Sequence, residues 1–148
     1  MLAAGCANFA AIHAGAPAQE VAARVGAPDT VWKNTDGSET WEYPQGPTGV
    51  QTFMIDVAPD QTVRQVQQVL SEPYFSRVQA GMSREEVRKL LGRPKEVWYF
   101  PMRDEEVWTW RYLDNQYKFF NVMFDRTEGT VRTTLRLDEI FGGRGGLH

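Results

Sequence analysis

The chain writes one pattern twice. "GAPDTVW" runs from Gly26 to Trp32 and "GRPKEVW" from Gly92 to Trp98. Sliding the sequence on itself extends the match in order. Gly15, Glu20, Val21, Gly26, Pro28, Val31 and Trp32 find counterparts at Gly81, Glu86, Val87, Gly92, Pro94, Val97 and Trp98, all 66 residues on. Trp41, Tyr43, Met54 and Asp56 match Trp110, Tyr112, Met123 and Asp125, now 69 on. The change from 66 to 69 is a three-residue insertion between Trp98 and Trp110, and Val63 against Val131 is 68 apart. A duplicated unit must fold the same way twice, so residues 13–70 and 79–137 are expected to superpose.

Local chemistry gives each copy its elements. In "GMSREEVRKLLGRP", Ser83 and Glu86 have capping-box spacing. Val87, Leu90 and Leu91 fall on one helical face. Gly92 fits a left-handed stop and Pro94 blocks continuation. "GAPAQEVAARVGAP" repeats this, with Pro17 in the first turn and Ala18, Val21, Ala22 and Val25 as the apolar face. Strands follow by alternation. "VWTWRY" sets Trp108, Trp110 and Tyr112 on one face, and "FFNVMFD" sets Phe120, Val122 and Phe124 inward. "ETWEY" and "VQTFMID" match them, while "TVRQVQQVL" and "TVRTTLRL" read as last strands. Asp36-Gly37 and Glu128-Gly129 mark turns. The expected fold is α+β, with two tandem repeats. Each is a short helix or helix pair followed by an antiparallel meander of three to four strands.

The 148 residues then divide as a linker at 1–12, a first repeat at 13–70, a lead-in segment plus second repeat at 71–141, and a flexible tail at 142–148. A 42% hydrophobic share with five Trp and eight Phe supports packed cores rather than disorder. Net charge is −3 with no basic stripe, which argues against a nucleic-acid partner. No apolar run reaches the ~20 residues of a membrane span. One cysteine, Cys6, excludes an internal disulfide.

That cysteine lies in "LAAGC", which resembles the lipobox of bacterial lipoproteins and implies lipidation at Cys6. A signal peptide carries a basic segment and about 7–15 apolar residues, and five residues precede Cys6. The lipobox reading therefore expects a leader that was trimmed or whose start lies upstream. The second copy, through Gly81, Met82, Ser83, Val87, Leu91, Gly92, Pro94, Trp110, Tyr112, Phe124 and Asp125, resembles the SmpA/OmlA (BamE-like) family over about 60 residues. The first copy departs from it, with Ala16 and Pro17 where the family has Met-Ser. The resemblance implies a non-enzymatic lipoprotein of the outer membrane facing the periplasm. It would act through protein partners beside the β-barrel assembly machinery. Ala7 after Cys6 agrees with the sorting rule for that membrane. Two units in tandem also resemble the β-lactamase inhibitor protein, which implies instead an inhibitor or binding module for a periplasmic enzyme or small ligand.

No catalytic constellation stands out. His13 and His148 are the only histidines, too few for a zinc site, and no phosphate loop, cofactor motif or nucleophile–base pair is found. Glu85/Glu86 and Asp104/Glu105/Glu106 read as solvated charge, and Asp56 and Asp125 as turn formers. Trp41, Trp98 and Trp110 read as core. Trp108 has no aromatic counterpart, since position 39 is Glu39, so groove and core both stay open for it. The three-residue insertion falls in "YFPMRDEEVW", an apolar turn where the first copy uses Asn34-Thr35-Asp36-Gly37. Places where local rules fail tend to be functional. Phe100, Met102, Arg103 and Trp108 are accordingly the candidate partner-binding residues.

Overall fold

A computed structural model describes residues 8–46 and 48–140. The lipobox with Cys6 and the 142–148 tail lie outside the described residues. The chain divides into two compact units. One comprises residues up to Pro44 together with Phe53–Gln68, and the other comprises Gln45–Thr52 and the chain from Val69 onward.

In the first unit, helix α1 (Ala18–Val25) precedes β1 (Thr30–Lys33), β2 (Glu39–Pro44), β3 (Thr52–Val57) and β4 (Val63–Gln68). In the second, the short α2 (Glu72–Phe75) and then α3 (Arg84–Leu91) precede β5 (Glu96–Phe100), β6 (Glu105–Asp114), β7 (Gln116–Asp125) and β8 (Val131–Asp138). Each set of strands forms a four-stranded sheet in sequential order. The protein is thus α+β, in two similar halves.

The likeness reaches single hydrogen bonds. Gly15 N–H donates to Val63 C=O at 2.8 Å, and its counterpart Gly81 donates to Val131 at 2.9 Å. Val63 and Val131 donate back to Ala16 and Met82, both at 2.8 Å. Helix α3 begins with the full capping box: Ser83 Oγ accepts from Glu86 N–H at 3.1 Å, and Glu86 Oε1 from Ser83 N–H at 2.9 Å. Helix α1 lacks it, because Pro17 stands at the cap itself rather than inside the first turn. The stop glycines differ from a left-handed cap. Gly26 has φ 87, ψ −176 and Gly92 has φ 83, ψ −166, a region essentially confined to glycine. That backbone lets the chain leave the helix directly into a strand. The Gly26 C=O accepts from Tyr43 Oη at 2.9 Å and the Gly92 C=O from Trp110 Nε1 at 3.3 Å.

Each core sits between a sheet face and its helix. The first gathers Ile12, Ala16, Ala18, Val21, Tyr43, Ile55, Val57 and Val63, with the Phe9 ring stacked on Phe53 at 4.2 Å; Ala22, expected inward, is exposed. The second buries Val87 and Leu91 of α3 together with Trp110, Phe120, Val122 and Phe124. Complete burial contributes about 1.5–3 kcal/mol for each large aliphatic or Phe side chain. Phe75 of α2 stacks on Phe120 at 4.1 Å and meets Tyr112 edge-on at 4.7 Å.

The insertion is absorbed in two ways. Trp32 pairs with Thr40, but Trp98 pairs with Val107, the counterpart of Ser38. Strand β5 has therefore slipped two residues along β6 relative to the first copy. One further residue lengthens the hairpin. Both last strands carry a bulge, at which the register skips Arg64 in one and Arg132 in the other.

Two acidic readings change. Asp125 does form a turn, accepting from Glu128 N–H at 2.8 Å, whereas Asp56 holds the Gln65 side chain across the sheet at 2.7 Å. Glu106, read as solvated, is 6% exposed. Its Oε1 takes Arg84 Nη2 at 2.8 Å and Nε at 3.1 Å, and its Oε2 takes Trp108 Nε1 at 2.6 Å. The reason is position: register places Glu106 on the face that Trp108, Trp110 and α3 share, and the alternating pattern of β6 begins one residue-pair earlier than the sequence suggested.

Candidate functional site

The turn joining β5 and β6 is a 3-10 turn, Pro101–Arg103, closed by Asp104. Pro101 presets the first backbone angle. Asp104 adopts φ 48, ψ 51, a left-handed conformation that Asp tolerates better than most residues. It persists here because neighbouring groups fix it. Asp104 Oδ2 accepts from Thr127 Oγ1 at 2.6 Å and Thr127 N–H at 3.3 Å, and its C=O accepts from Arg126 N–H at 2.9 Å. The bulge residue Arg132 donates to Arg103 C=O at 3.0 Å and to Asp125 Oδ2 at 2.8 Å. These bonds, from Glu128 N–H and Arg132, hold the Asp125 carboxyl below its ordinary range and raise Arg132. Two adjacent turns are thereby tied into one platform.

Met102 stands at its apex, 98% exposed. The Arg103 guanidinium lies over the Phe100 ring at 4.8 Å, leaving Phe100 half-buried. Arg103 also reaches Glu105 at 3.4 Å. Phe100, Met102 and Arg103 are therefore brought together. Trp108 is not. It lies on the opposite face of the sheet from Phe100, buried against Phe124 at 4.7 Å and Trp110 at 6.1 Å. Its indole N–H serves Glu106, so Trp108 is core and leaves the candidate set.

Tyr99, which the sequence analysis did not single out, borders the tip from the other face of the sheet, the face of its strand partner Glu106. It is 56% exposed on β5, with Arg126 above its ring at 5.3 Å, and Val97 is exposed beside it on the same face. The signal was present: Tyr99-Phe100 replaces Lys33-Asn34 of the first copy. A polar strand end became aromatic in one copy alone.

Elsewhere a cleft is lined by Arg111, Leu113, Tyr117 and Glu139. Its cation is already engaged: Arg111 pairs with Glu139 at 3.0 Å, covers Tyr117 at 4.1 Å and donates to Thr48 C=O at 2.8 Å. Among the described residues there is no cluster of three His, Cys, Asp or Glu able to hold a metal ion. No helix among them is long and apolar enough to cross a membrane.

No model of a known protein family matches the chain, and no curated protein does. The SmpA/OmlA resemblance thus rests on the residues quoted for it. Among solved structures, the chain is similar to a Streptococcus mutans protein described as a candidate β-lactamase inhibitor protein. Identity is 14% and the TM-score 0.36, over 84% of this chain and 83% of that one. It is also similar to an extracellular Bacillus anthracis protein containing an SCP domain, at 14% identity and a TM-score of 0.32. That match covers 85% of this chain and 44% of the other. Likeness at these scores identifies neither a family nor an activity.

Proposed function

We propose that this is a non-enzymatic interaction protein that captures a protein partner with the β5–β6 tip. The observation that carries the proposal is Met102, fully presented on a turn whose backbone is already fixed. An apolar side chain presented beside charge can anchor an interface, and a backbone already fixed lowers the entropy cost of binding. Tyr99, under the Arg126 guanidinium, borders the tip on the other face of the sheet. In the cell the protein is proposed to be lipid-anchored through Cys6 at the outer membrane, facing the periplasm, beside the β-barrel assembly machinery. The lipobox and the SmpA/OmlA-like residues support that setting.

The braced tip favours one second reading. Loops that inhibit enzymes also tend to bind without changing shape, so a tandem-repeat inhibitor of a periplasmic enzyme would use the same residues. Affinity purification from native membranes, followed by mass spectrometry, separates the two. Assembly-machinery subunits recovered with the wild type support the first reading, and a single hydrolase supports the second. Met102→Ser should reduce recovery about tenfold, the effect of losing one interface anchor, with an unchanged melting temperature. Equal recovery by both proteins would remove the tip from the interface.

A further inference from the structure

We propose that Met102 is an oxidation site: a hydroperoxide converts its thioether to the sulfoxide, and the modification releases the partner. The second clause rests on the interface reading above. The reaction is an oxygen-atom transfer. The sulfur lone pair attacks the terminal peroxide oxygen, an S–O bond forms and the O–O bond breaks. With hydrogen peroxide the other oxygen leaves as water. Sulfur loses two electrons and the peroxide gains them.

Three observations single out this sulfur. Met54 and Met123 lie in the packed interior, at 3% and 7% exposure. Met82 is half-buried, and its sulfur already accepts the Gln79 N–H at 3.3 Å. Met102 alone of the described methionines meets solvent over nearly its whole surface. Oxidation rate follows such access, and the sulfoxide turns a flexible apolar side chain into a polar one. At the apex Pro101 is the other exposed apolar residue, while Arg103 covers the Phe100 ring. A single added oxygen therefore makes the most exposed apolar side chain of the apex polar. It leaves the fold alone, since the bonds that fix the turn run through Asp104, Arg132 and the backbone of Arg103 and Arg126.

The test treats the full chain with graded hydrogen peroxide and maps oxidised peptides by mass spectrometry. Met102 should take up one oxygen well before Met54, Met82 or Met123, with no change in melting temperature. Oxidised wild type should then capture its most enriched membrane protein about tenfold less well, and methionine sulfoxide reductase should restore capture. Met102→Leu should capture equally before and after peroxide. Oxidation of Met54, Met82 or Met123 at the rate of Met102 would overturn the site. If Met102→Ser loses capture but the sulfoxide does not, the switch is wrong and the interface reading survives. If Met102→Ser captures like wild type, the interface reading fails and the switch falls with it.

Discussion

Replacing Arg84 with Met should cost about 2–3 kcal/mol of stability. Breaking a buried pair by removing one partner costs about 3–5 kcal/mol, because a charge is left buried alone. Glu106 is the buried member here, with an 8% exposed side chain, and Arg84 is 35% exposed. Water can reach the pair from the arginine side, so screening brings the cost below that range, to about 2–3 kcal/mol. Trp108 Nε1 continues to serve Oε2, which also limits the loss. Met matches the length of the Arg84 stem, and the change also removes the guanidinium from above Phe124 and its bond to Arg126 C=O. Equilibrium urea unfolding measures the effect. Glu106→Gln, added to Arg84→Met, should recover roughly half of the loss, since the carboxylate that lacked a partner becomes neutral. A loss under ~0.5 kcal/mol, as in an ordinary surface pair, would show that the Arg84–Glu106 contact does not hold the second unit together.

Gly129→Ala should destabilise by about 1–2 kcal/mol, through its positive φ and a Cβ placed 2.5 Å from Arg84 Nη1; unfolding curves in the wild-type and Arg84→Met backgrounds should give a smaller penalty in the second, where the clash is gone. Burial pushes the phenols of Tyr43 and Tyr112 up to about 12 from 10.0. The unfolded chain thus releases these protons first, and stability should be full below pH 10 and decline as pH rises towards 12. Denaturation at a series of alkaline pH values checks this, and the double Tyr→Phe variant should lose most of the slope.

What could be read from sequence was local. The Ser83–Glu86 cap and the alternation of Phe120, Val122 and Phe124 each lie within a few residues and stand as expected, and the helix does stop at Gly92, though not in the left-handed conformation expected there. The repeat did more, since it doubled every weak signal and gave the strand order. Errors came where the deciding partner was distant in sequence. Glu106 looks solvated inside "RDEEVW" because Arg84, 22 residues earlier, is invisible to any local pattern. Trp108 could not be assigned until the register placed it beside Phe124. The tip itself was legible as a broken turn rule. Its bracing was not, because Arg132 and Thr127 reach it from the next hairpin.

The two-residue slip of β5 along β6 sets the terms on which this hairpin can vary. Side chains alternate across a sheet, so an even slip keeps every residue on its own face, and an odd one exchanges the faces. An odd slip of β5 would turn Trp98 and Phe100 to the face of Glu106 and Trp108, and Val97 and Tyr99 to the other face. Lengthening can therefore be inherited only in steps that combine an even slip with whatever the turn itself can hold. The first copy, with its polar Asn34–Gly37 turn, keeps the shorter solution, and the second is free to carry a projecting sequence without disturbing the packing beneath it. A foreign recognition loop grafted between the paired residues Phe100 and Glu105 would lengthen the turn alone and leave that parity untouched.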